Sequence, residues 1–371
     1  MRKQFIYFIL SLPIILFLSE YTVFRVLSFS GLLANPALHY IFVALAWFCP
    51  IFFIVIMLAD GRQFLQIKSW LYILAGTWLG LLVYLFTAAV ISALAIFADS
   101  LIGFPVSFFA VTLFFTAIAI VVTLWGILVA TNPRIVHLTV ESPALRDTWK
   151  GKTIVLVSDT HLGHIWKERF MEKVVRMIND QKPDIVFHAG DIIDAPVFDY
   201  DRGFAPLLDL RSTLGTFYTE GNHEGYSRDY KNFRTAFEKI TTITDMTDKR
   251  TTVLGTQILG LSYKNSETEA EIGARLDAIG FDPALPSIVI LHNPFHTKAL
   301  ADKGVSIVLS GHTHGGQCFP MTLIARKVYG HYCVGATTTH GMPSVTTYGV
   351  GAAISPMRVG TISEIVVLKI I

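Results

Sequence analysis

The sequence contains few charged residues and few cysteines. Only 16% of its 371 residues are charged, whereas 52% are hydrophobic, and this balance is too apolar for an ordinary soluble protein of this length. The cysteines, Cys49, Cys318 and Cys333, have no spacing typical of a metal site. Cys49 falls within an apolar run, so at most one disulfide is possible, and because we expect the domain with the other two in a reducing cytoplasm, we expect free thiols. The formal net charge of +2 gives no indication of nucleic-acid binding, and no nucleic-acid motif is present.

The apolar residues are concentrated before about Thr131. Four apolar runs there are each long enough to cross a hydrocarbon core of about 30 Å. They cover residues 5–24, 38–58, 70–97 and 104–130. The sequence therefore predicts a transmembrane anchor of about four helices in residues 1–131, followed by a second domain in residues 132–371.

Basic residues are distributed unequally between the loops. Arg2 and Lys3 precede the first run, and Arg62 lies between the second and third runs. Arg134 follows the fourth run, whereas the loops on the other side contain Arg25 as their basic residue. Because basic loops stay in the cytoplasm, we expect a multi-pass protein of the cell membrane whose second domain is cytoplasmic.

The membrane region is interpreted as an anchor and not as a transporter. Its third and fourth runs contain no acidic, basic or histidine side chain, whereas transport paths usually need such residues. Small residues such as Gly76 and Gly80 are expected to serve helix packing. Arg2 and Lys3 also resemble the start of a signal peptide, but no cleavage site of small residues follows, so we expect the first helix to be retained.

Five short segments of the second domain are rich in metal-ligand residues. They read Ser158-Asp159-Thr160-His161, Gly190-Asp191, Gly221-Asn222-His223-Glu224, Leu291-His292-Asn293-Pro294 and Gly311-His312-Thr313-His314. Any one segment alone is better interpreted as a structural histidine or aspartate. Together they supply enough oxygen and nitrogen donors for two metal ions that share a carboxylate. The set therefore predicts a dimetal hydrolase site.

Each of these segments directly follows a predicted β-strand. Helical patterns alternate with β-branched runs at residues 153–157, 184–188, 216–219, 287–291 and 306–309. This alternation predicts an α/β domain with layered mixed β-sheets flanked by helices. Hairpins are expected near 252–261 and within 348–371. Because strand ends and loops converge at one edge of such a sheet, we expect the five segments to gather there.

The order of the segments resembles the calcineurin-like metallophosphoesterase family over roughly residue 135 to the C-terminus. The continuation Gly315-Gly316-Gln317 is similar to a bacterial membrane-associated subgroup with N-terminal transmembrane helices. The resemblance implies two divalent metal ions, and manganese, iron and zinc all suit such ligands. It assigns one ion to Asp159, His161 and His314, the other to Asn222, His292 and His312, and the bridging position to Asp191.

His223 is expected to act in catalysis and not as a metal ligand. The resemblance implies that a hydroxide between the metals attacks phosphorus while His223 protonates the leaving oxygen or stabilises the transition state. His164 and Arg358 are candidate substrate contacts, although a structural ion pair is an equally good interpretation of Arg358. Asp194 and His188 are expected to orient ligands or cap turns.

The two regions together indicate a membrane-anchored phosphoesterase or phosphodiesterase. The expected partners are the lipid bilayer and a phosphoester or pyrophosphate substrate. Because the chain is expected to be membrane-anchored, a lipid-linked substrate is favoured. By analogy, one example is the pyrophosphate of a UDP-diacylglucosamine. A soluble nucleotide or phosphoprotein substrate stays open. The alternative class is a noncatalytic metal-binding membrane sensor or partner-binding protein, and the sequence identifies no protein partner.

Overall fold

The chain forms two compact units. In the computed structural model these are Met1–Leu128 together with Ile354–Met357, and Val129–Ala353 together with Arg358–Ile371. The structure describes residues 2–58, 65–103, 107–194, 199–227 and 229–371. Arg62 and the predicted first residues of the fourth apolar run, 104–106, lie outside the described residues.

Four long apolar helices make up the first unit. Their bounds are α1 Arg2–Phe29, α2 Pro36–Leu58, α3 Leu65–Ile102 and α4 Phe108–Thr131. Each contains an apolar segment of 19 to 34 residues, of which 17 to 28% is buried within the protein. The remaining apolar surface is suited to contact with lipid, and all four helices are long enough to cross a bilayer. The four predicted apolar helices are therefore confirmed.

One polar pair lies among the apolar helices. The indole Nε1 of Trp78 in α3 donates a hydrogen bond of 2.8 Å to Glu20 in α1. An acidic side chain within an apolar helix needs such a donor, because a buried polar group without a partner is costly. The pair ties α1 to α3, in keeping with a packed anchor.

The second unit consists of twelve strands and eight α-helices in the described residues. The strands are β1 Arg134–Val140, β2 Ile154–Val157, β3 Ile185–His188, β4 Thr216–Tyr218, β5 Thr244–Asp245, β6 Lys249–Val253, β7 Thr256–Leu261, β8 Ser287–Leu291, β9 Ile307–Ser310, β10 Gly335–Thr339, β11 Met342–Thr346 and β12 Glu364–Ile370. The helices are α5 Pro143–Trp149, α6 Glu168–Asp180, α7 Tyr200–Phe204, α8 Asn222–Tyr226, α9 Tyr230–Phe237, α10 Glu269–Ala278, α11 Thr297–Asp302 and α12 Met321–Tyr329.

The strands form two six-stranded mixed sheets. Their orders are β1-β12-β2-β3-β4-β5 and β10-β11-β9-β8-β7-β6. Within the first sheet β2, β3, β4 and β5 are parallel neighbours, and within the second β7, β8 and β9 are parallel neighbours. Parallel strands end at the same edge, so both sheets bring several strand ends together.

Alternating side chains along the strands build the core. In β2, Ile154 and Leu156 join an apolar cluster that also contains residues of the second sheet, so the two sheets pack face to face. Val155 and Val157 point the other way and pack with residues of α6 and α9. The outer face of the second sheet packs similarly against α10 and α11. This arrangement of helix, sheet, sheet and helix confirms the predicted layered α/β fold.

One predicted hairpin is present and the other is wrong. β6 and β7 pair antiparallel, as expected near residues 252–261. Residues 348–371 instead supply a single strand, β12, because the segment before it bonds to the first metal-ligand segment. The amides of Val350 and Gly351 donate to the carbonyl oxygens of Ser158 and Asp159 at 3.0 and 2.7 Å. The backbone amides of this segment are thus hydrogen-bonded without forming a second strand of a hairpin.

Candidate dimetal centre

All five metal-ligand segments lie at the carboxyl ends of strands. They follow β2, β3 and β4 of the first sheet and β8 and β9 of the second. Hydrogen bonds join the loops to one another: Asp159 N donates to Gly190 O at 3.0 Å and His161 N to Asp191 O at 3.1 Å. The expected convergence of the segments at one edge is therefore what the structure shows.

The backbone at this edge adopts an uncommon conformation. Five of the residues predicted as ligands have positive φ: Asp159 at 53°, His161 at 49°, Asp191 at 53°, His312 at 73° and His314 at 48°. Left-handed backbone costs a non-glycine residue about 1–2 kcal/mol. Such strain persists only where the surrounding contacts hold the backbone in this conformation, and it is concentrated at functional sites.

The first group of donors consists of Asp159, His161 and His314. The Nε2 atoms of His161 and His314 lie 3.0 Å apart. Asp159 Oδ1 is 3.4 Å from His314 Nε2 and 3.8 Å from His161 Nε2. All three residues have less than a tenth of their surface exposed. Three donor atoms therefore converge on one small buried volume.

The second group consists of Asn222, His292 and His312. His292 Nε2 lies 3.1 Å from Asn222 Oδ1 and 3.2 Å from His312 Nδ1. The other nitrogen of His292, Nδ1, donates to the carbonyl oxygen of Ala189 at 2.6 Å. This bond fixes the tautomer in which the Nε2 lone pair faces Asn222 and His312.

Asp191 connects the two groups. Its Oδ2 lies 3.1 Å from His292 Nε2 and 4.0 Å from His161 Nε2. Its Oδ1 accepts a hydrogen bond of 2.9 Å from the backbone amide of His223. The carboxylate is 2% exposed. It therefore lies between the two groups, and its role as a bridge between two metals stays a prediction.

These donors fit two divalent metal ions. Atoms bound to one metal at about 2.1 Å lie about 3.0–3.4 Å from each other. Four of the five separations given above fall in this range, and the fifth, from Asp159 Oδ1 to His161 Nε2, is 3.8 Å. Burial lowers the pKa of His312 to about 3 and the pKa of His314 well below its ordinary value. Both imidazoles are thus neutral at pH 7, the form that binds a metal. Burial alone would lower the pKa of His292, but its interactions with nearby negative charge, chiefly that of Asp191, together have the larger effect and raise this pKa to about 9. The electrostatic field at this position therefore favours positive charge.

His223 lies beside these groups without belonging to either. Its Nε2 is 4.0 Å from Asp191 Oδ2, and its side chain is 29% exposed. Its Nδ1 lies 3.1 Å from Asp194 Oδ1, which is also 3.4 Å from Nδ1 of His161. Burial opposes the imidazolium of His223, but Asp191 and Asp194 outweigh it and raise its pKa to about 10. A protonated imidazole that is open to solvent on one side can serve as a general acid.

Asp194 touches the site more directly than a turn cap would. One carboxylate oxygen faces the Nδ1 atoms of both His161 and His223. Although burial alone would raise the pKa of Asp194, its interactions with the imidazoles of His161 and His223 hold this pKa well below its usual range. The carboxylate therefore stays ionised and keeps the proton of each histidine on Nδ1, which leaves both Nε2 atoms directed at the site.

Glu224 is a functional residue to which the sequence analysis assigned no role. Its carboxylate accepts hydrogen bonds from the backbone amides of Asp191 at 3.0 Å, Ile192 at 2.6 Å, Ile193 at 3.0 Å and Gly221 at 2.7 Å. It is fully buried, and burial together with nearby Asp191 raises its pKa to about 7. The side chain fixes the turn that presents the carboxylate of Asp191. Its place directly after His223 was the signal in the sequence that could have found it.

The two candidate substrate contacts lie in different surroundings. His164 is 5% exposed and follows His161 in the chain. Arg358 is fully buried, with Nη2 3.1 Å from His314 Nδ1 and 2.7 Å from the carbonyl oxygen of Tyr348. These contacts place the guanidinium behind a predicted ligand, where it holds His314 and the neighbouring loop. Contact of either residue with substrate stays a prediction.

An aromatic wall, missed in the sequence analysis, borders the second group. The ring centroids of Tyr263 and Tyr329 lie 5.7 and 6.2 Å from that of His312, and Tyr329 stacks on Phe295 at 4.6 Å. No spacing in the sequence marks these residues, because α12 and the segment before α10 bring them together only in the folded chain. They give one side of the site an apolar border.

Replacing Gly221 with alanine is expected to disable the site. A Cβ at Gly221 would lie 2.1 Å from Asp191 Oδ1 and 2.6 Å from Asp191 N, so the bridging carboxylate must move. Metal content and hydrolysis of a model ester should both fall at least about tenfold. Gly225→Ala is the matched control, since a Cβ there meets nothing within 4 Å. Equal metal content and activity in the two variants would contradict this account of the turn.

Comparison with known proteins gives consistent matches. Residues 152–316 match the family model described as calcineurin-like phosphoesterase. The chain is 31% identical over 276 residues to a transmembrane protein with metallophosphoesterase domain from Bos taurus, which covers 67% of this chain and 61% of that protein. It is 30% identical over 257 residues to an uncharacterised metallophosphoesterase from Aquifex aeolicus, which covers 64% of this chain and 91% of that protein.

These matches differ in how much of each protein they include. The chain spans about three fifths of the bovine relative. Among solved structures, a dimetal phosphatase from Danio rerio aligns over 54% of this chain and 88% of its own, with a TM-score of 0.37 and 13% identity.

Proposed function

The chain belongs to the calcineurin-like metallophosphoesterase family, and we propose that it is a membrane-anchored phosphoesterase that works with two divalent metal ions. The observation that carries the proposal is the position of Asp191. Its Oδ2 lies against His292 of one donor group and within 4.0 Å of His161 of the other. A carboxylate shared between two groups of nitrogen and oxygen donors is the arrangement that a dimetal hydrolase requires.

The residues take separate roles. Asp159, His161 and His314 would hold one ion, Asn222, His292 and His312 would hold the other, and Asp191 would contact both. When bound, the two ions would lower the pKa of a water molecule and offset negative charge on the phosphate oxygens. Manganese, iron and zinc all suit these ligands.

His223 supplies the proton for the leaving group. Its raised pKa of about 10 favours a protonated imidazole at neutral pH, and 29% of its side chain is exposed to solvent. Asp194 fixes the other ring proton on Nδ1, so the Nε2 proton is the one available for transfer to an alkoxide oxygen. No residue of the chain has to form a covalent bond to phosphorus.

The substrate is proposed to be a phosphoester or pyrophosphate carried by a lipid. Four membrane-length helices precede the catalytic unit, and β1 begins at Arg134, directly after α4 ends at Thr131. The excess of Arg and Lys in the loops on one side supports a cytoplasmic catalytic unit. A UDP-diacylglucosamine is one example of a lipid-linked pyrophosphate with suitable chemistry.

Hydrolysis of p-nitrophenyl phosphate and bis-p-nitrophenyl phosphate by the detergent-purified chain tests the proposed activity. We expect turnover with manganese or zinc that a chelator abolishes and that added metal restores, and the faster ester identifies the substrate class. His223→Ala should lose about 10²-fold or more in kcat while it keeps its metal. A protein that binds two ions but hydrolyses neither model ester nor a lipid-linked pyrophosphate would overturn the proposal in favour of a metal-binding sensor.

A further inference from the structure

Helix α12 exposes a row of large apolar side chains. Met321, Leu323, Ile324 and Val328 are 46 to 57% exposed, and Phe319, just before the helix, is 45% exposed. The other exposed large apolar or aromatic side chains among the described residues of the catalytic unit are far apart in the sequence: Leu208, Tyr230, Leu254, Leu285 and Ile371. Scattered single residues of this kind are ordinary, whereas a contiguous patch marks an interaction surface.

The pattern along α12 separates two faces. Thr322 and Ala325 are 7 and 8% exposed and pack towards the protein. Met321, Ile324 and Val328 recur at positions i, i+3 and i+7, which places them in one stripe along the helix. That stripe faces solvent, which is the reverse of an ordinary surface helix that buries its large apolar residues. Arg326 and Lys327 are also exposed, so the outer surface combines apolar and basic groups.

The helix is attached to the metal-ligand edge at both ends. At its start, a Cβ on Gly316 would lie 2.5 Å from the carbonyl oxygen of Met321, so the turn directly after His314 packs against the α12 backbone. At its end, Tyr329 lies beside His312 and stacks on Phe295. Whatever binds the outer surface of α12 is therefore held next to the proposed catalytic centre.

We propose that α12 lies in the lipid interface and holds the catalytic edge against the membrane surface. Apolar side chains with flanking Arg and Lys are the composition of helices that lie in the plane of a bilayer. Arg326 and Lys327 complement anionic headgroups, because a negatively charged membrane surface attracts basic side chains. The proposed anchor attaches the catalytic unit to a bilayer, with two residues between α4 and β1. The occupant of the apolar surface is thus an anionic phospholipid leaflet.

Fluorescence quenching in nanodiscs tests the position of α12 without reference to hydrolysis. The full chain, with Cys49 and Cys318 replaced by serine, would carry an environment-sensitive fluorophore on Ile324→Cys or, as matched control, on Leu208→Cys. Both positions are exposed, at 54 and 51%. Phosphatidylglycerol nanodiscs that contain a spin-labelled quencher lipid should quench the label at residue 324 at least about threefold more than that at residue 208. Equal quenching at the two positions would overturn the proposal.

A second experiment distinguishes lipid from a protein occupant. Arg326→Gln combined with Lys327→Gln should reduce the quenching at residue 324 in phosphatidylglycerol nanodiscs, whereas phosphatidylcholine nanodiscs should give little difference between the two proteins. Nanodiscs that each hold one copy of the chain exclude a second copy as the occupant. Shielding at residue 324 only in nanodiscs with two copies would assign the surface to self-association and overturn the lipid proposal.

The consequence for catalysis is tested separately and rests on the proposed function. Ile324→Asp should lower hydrolysis of a phospholipid-borne ester about tenfold or more, while turnover of p-nitrophenyl esters stays the same, and Leu208→Asp should change neither. Equal loss on both kinds of ester would indicate damage to the metal centre and would count against a docking role. Absence of hydrolysis in the unchanged protein would refute the proposed activity but leave the quenching result intact.

Discussion

Asp191→Asn is expected to lower kcat/KM for a model phosphoester by at least about 10³-fold and to reduce the metal content below two ions per chain. Asparagine preserves the size of the side chain and can still accept the 2.9 Å hydrogen bond from His223 N. It removes the negative charge that both donor groups share, and an amide supplies one oxygen where the carboxylate supplied two. The loss should therefore arise at the metals and not from misfolding.

Asp184→Asn is the matched control for this substitution. Asp184 lies at the other end of β3, where its carboxylate accepts a hydrogen bond of 2.8 Å from Thr153 N. We expect unchanged metal content and activity within about twofold, because this aspartate touches no donor group. The measurements are kcat/KM with bis-p-nitrophenyl phosphate and metal analysis of protein washed at low free metal. Full activity with two retained ions in Asp191→Asn would refute the bridging role.

The fold could be predicted from the sequence wherever local pattern and burial agree. The β-branched run before Ser158 forms β2 because both of its faces are covered, one by the second sheet and one by helices. The four apolar runs predict helices for a different reason: a backbone in lipid would have to satisfy its own hydrogen bonds. Each metal-ligand segment was located correctly because it begins where such a run ends.

The loops after Tyr348 could not be predicted, because contacts with residues far away in the sequence determine their structure. Residues after Tyr348 were expected to pair as a hairpin, yet Val350 and Gly351 bond to the segment that carries Asp159. Arg358 was ambiguous for the same reason: its partners are backbone carbonyl oxygens and His314, which no spacing reveals. Where the contact that decides a structure is far away in sequence, local pattern carries no signal for it.

The sequence predicts which side chains supply the donor atoms of the site, but it does not predict how the backbone positions them. The side chains of Asp159 and His161 converge only because both residues adopt left-handed backbone, a conformation that neither residue favours. Glu224 supports the turn of Asp191 through four backbone amides, and a motif that contains a glutamate does not show which atoms it binds. The residues that enforce the geometry therefore emerge only from the structure.

Asp194→Asn is expected to lower kcat about 10²-fold while both metal ions stay bound. The substitution removes the charge that helps to raise the pKa of His223, so this pKa should fall towards its ordinary value of about 6.5. Less of the general acid is then protonated at alkaline pH, and activity should decline at a lower pH than in the unchanged protein. The pH profile of kcat, with metal content measured on the same samples, checks both effects.

Comparison with His223→Gln shows through which histidine Asp194 acts. Because its carboxylate faces both His223 and His161, two routes are open in principle, one to the general acid and one to a metal ligand. If the first dominates, Asp194→Asn combined with His223→Gln should be no slower than His223→Gln alone, since residues that act as a unit are not additive. Loss of metal in proportion to activity would instead assign Asp194 to His161 and remove it from proton transfer. The geometry favours the first route, because the contact with His223 is 0.3 Å shorter, at 3.1 against 3.4 Å.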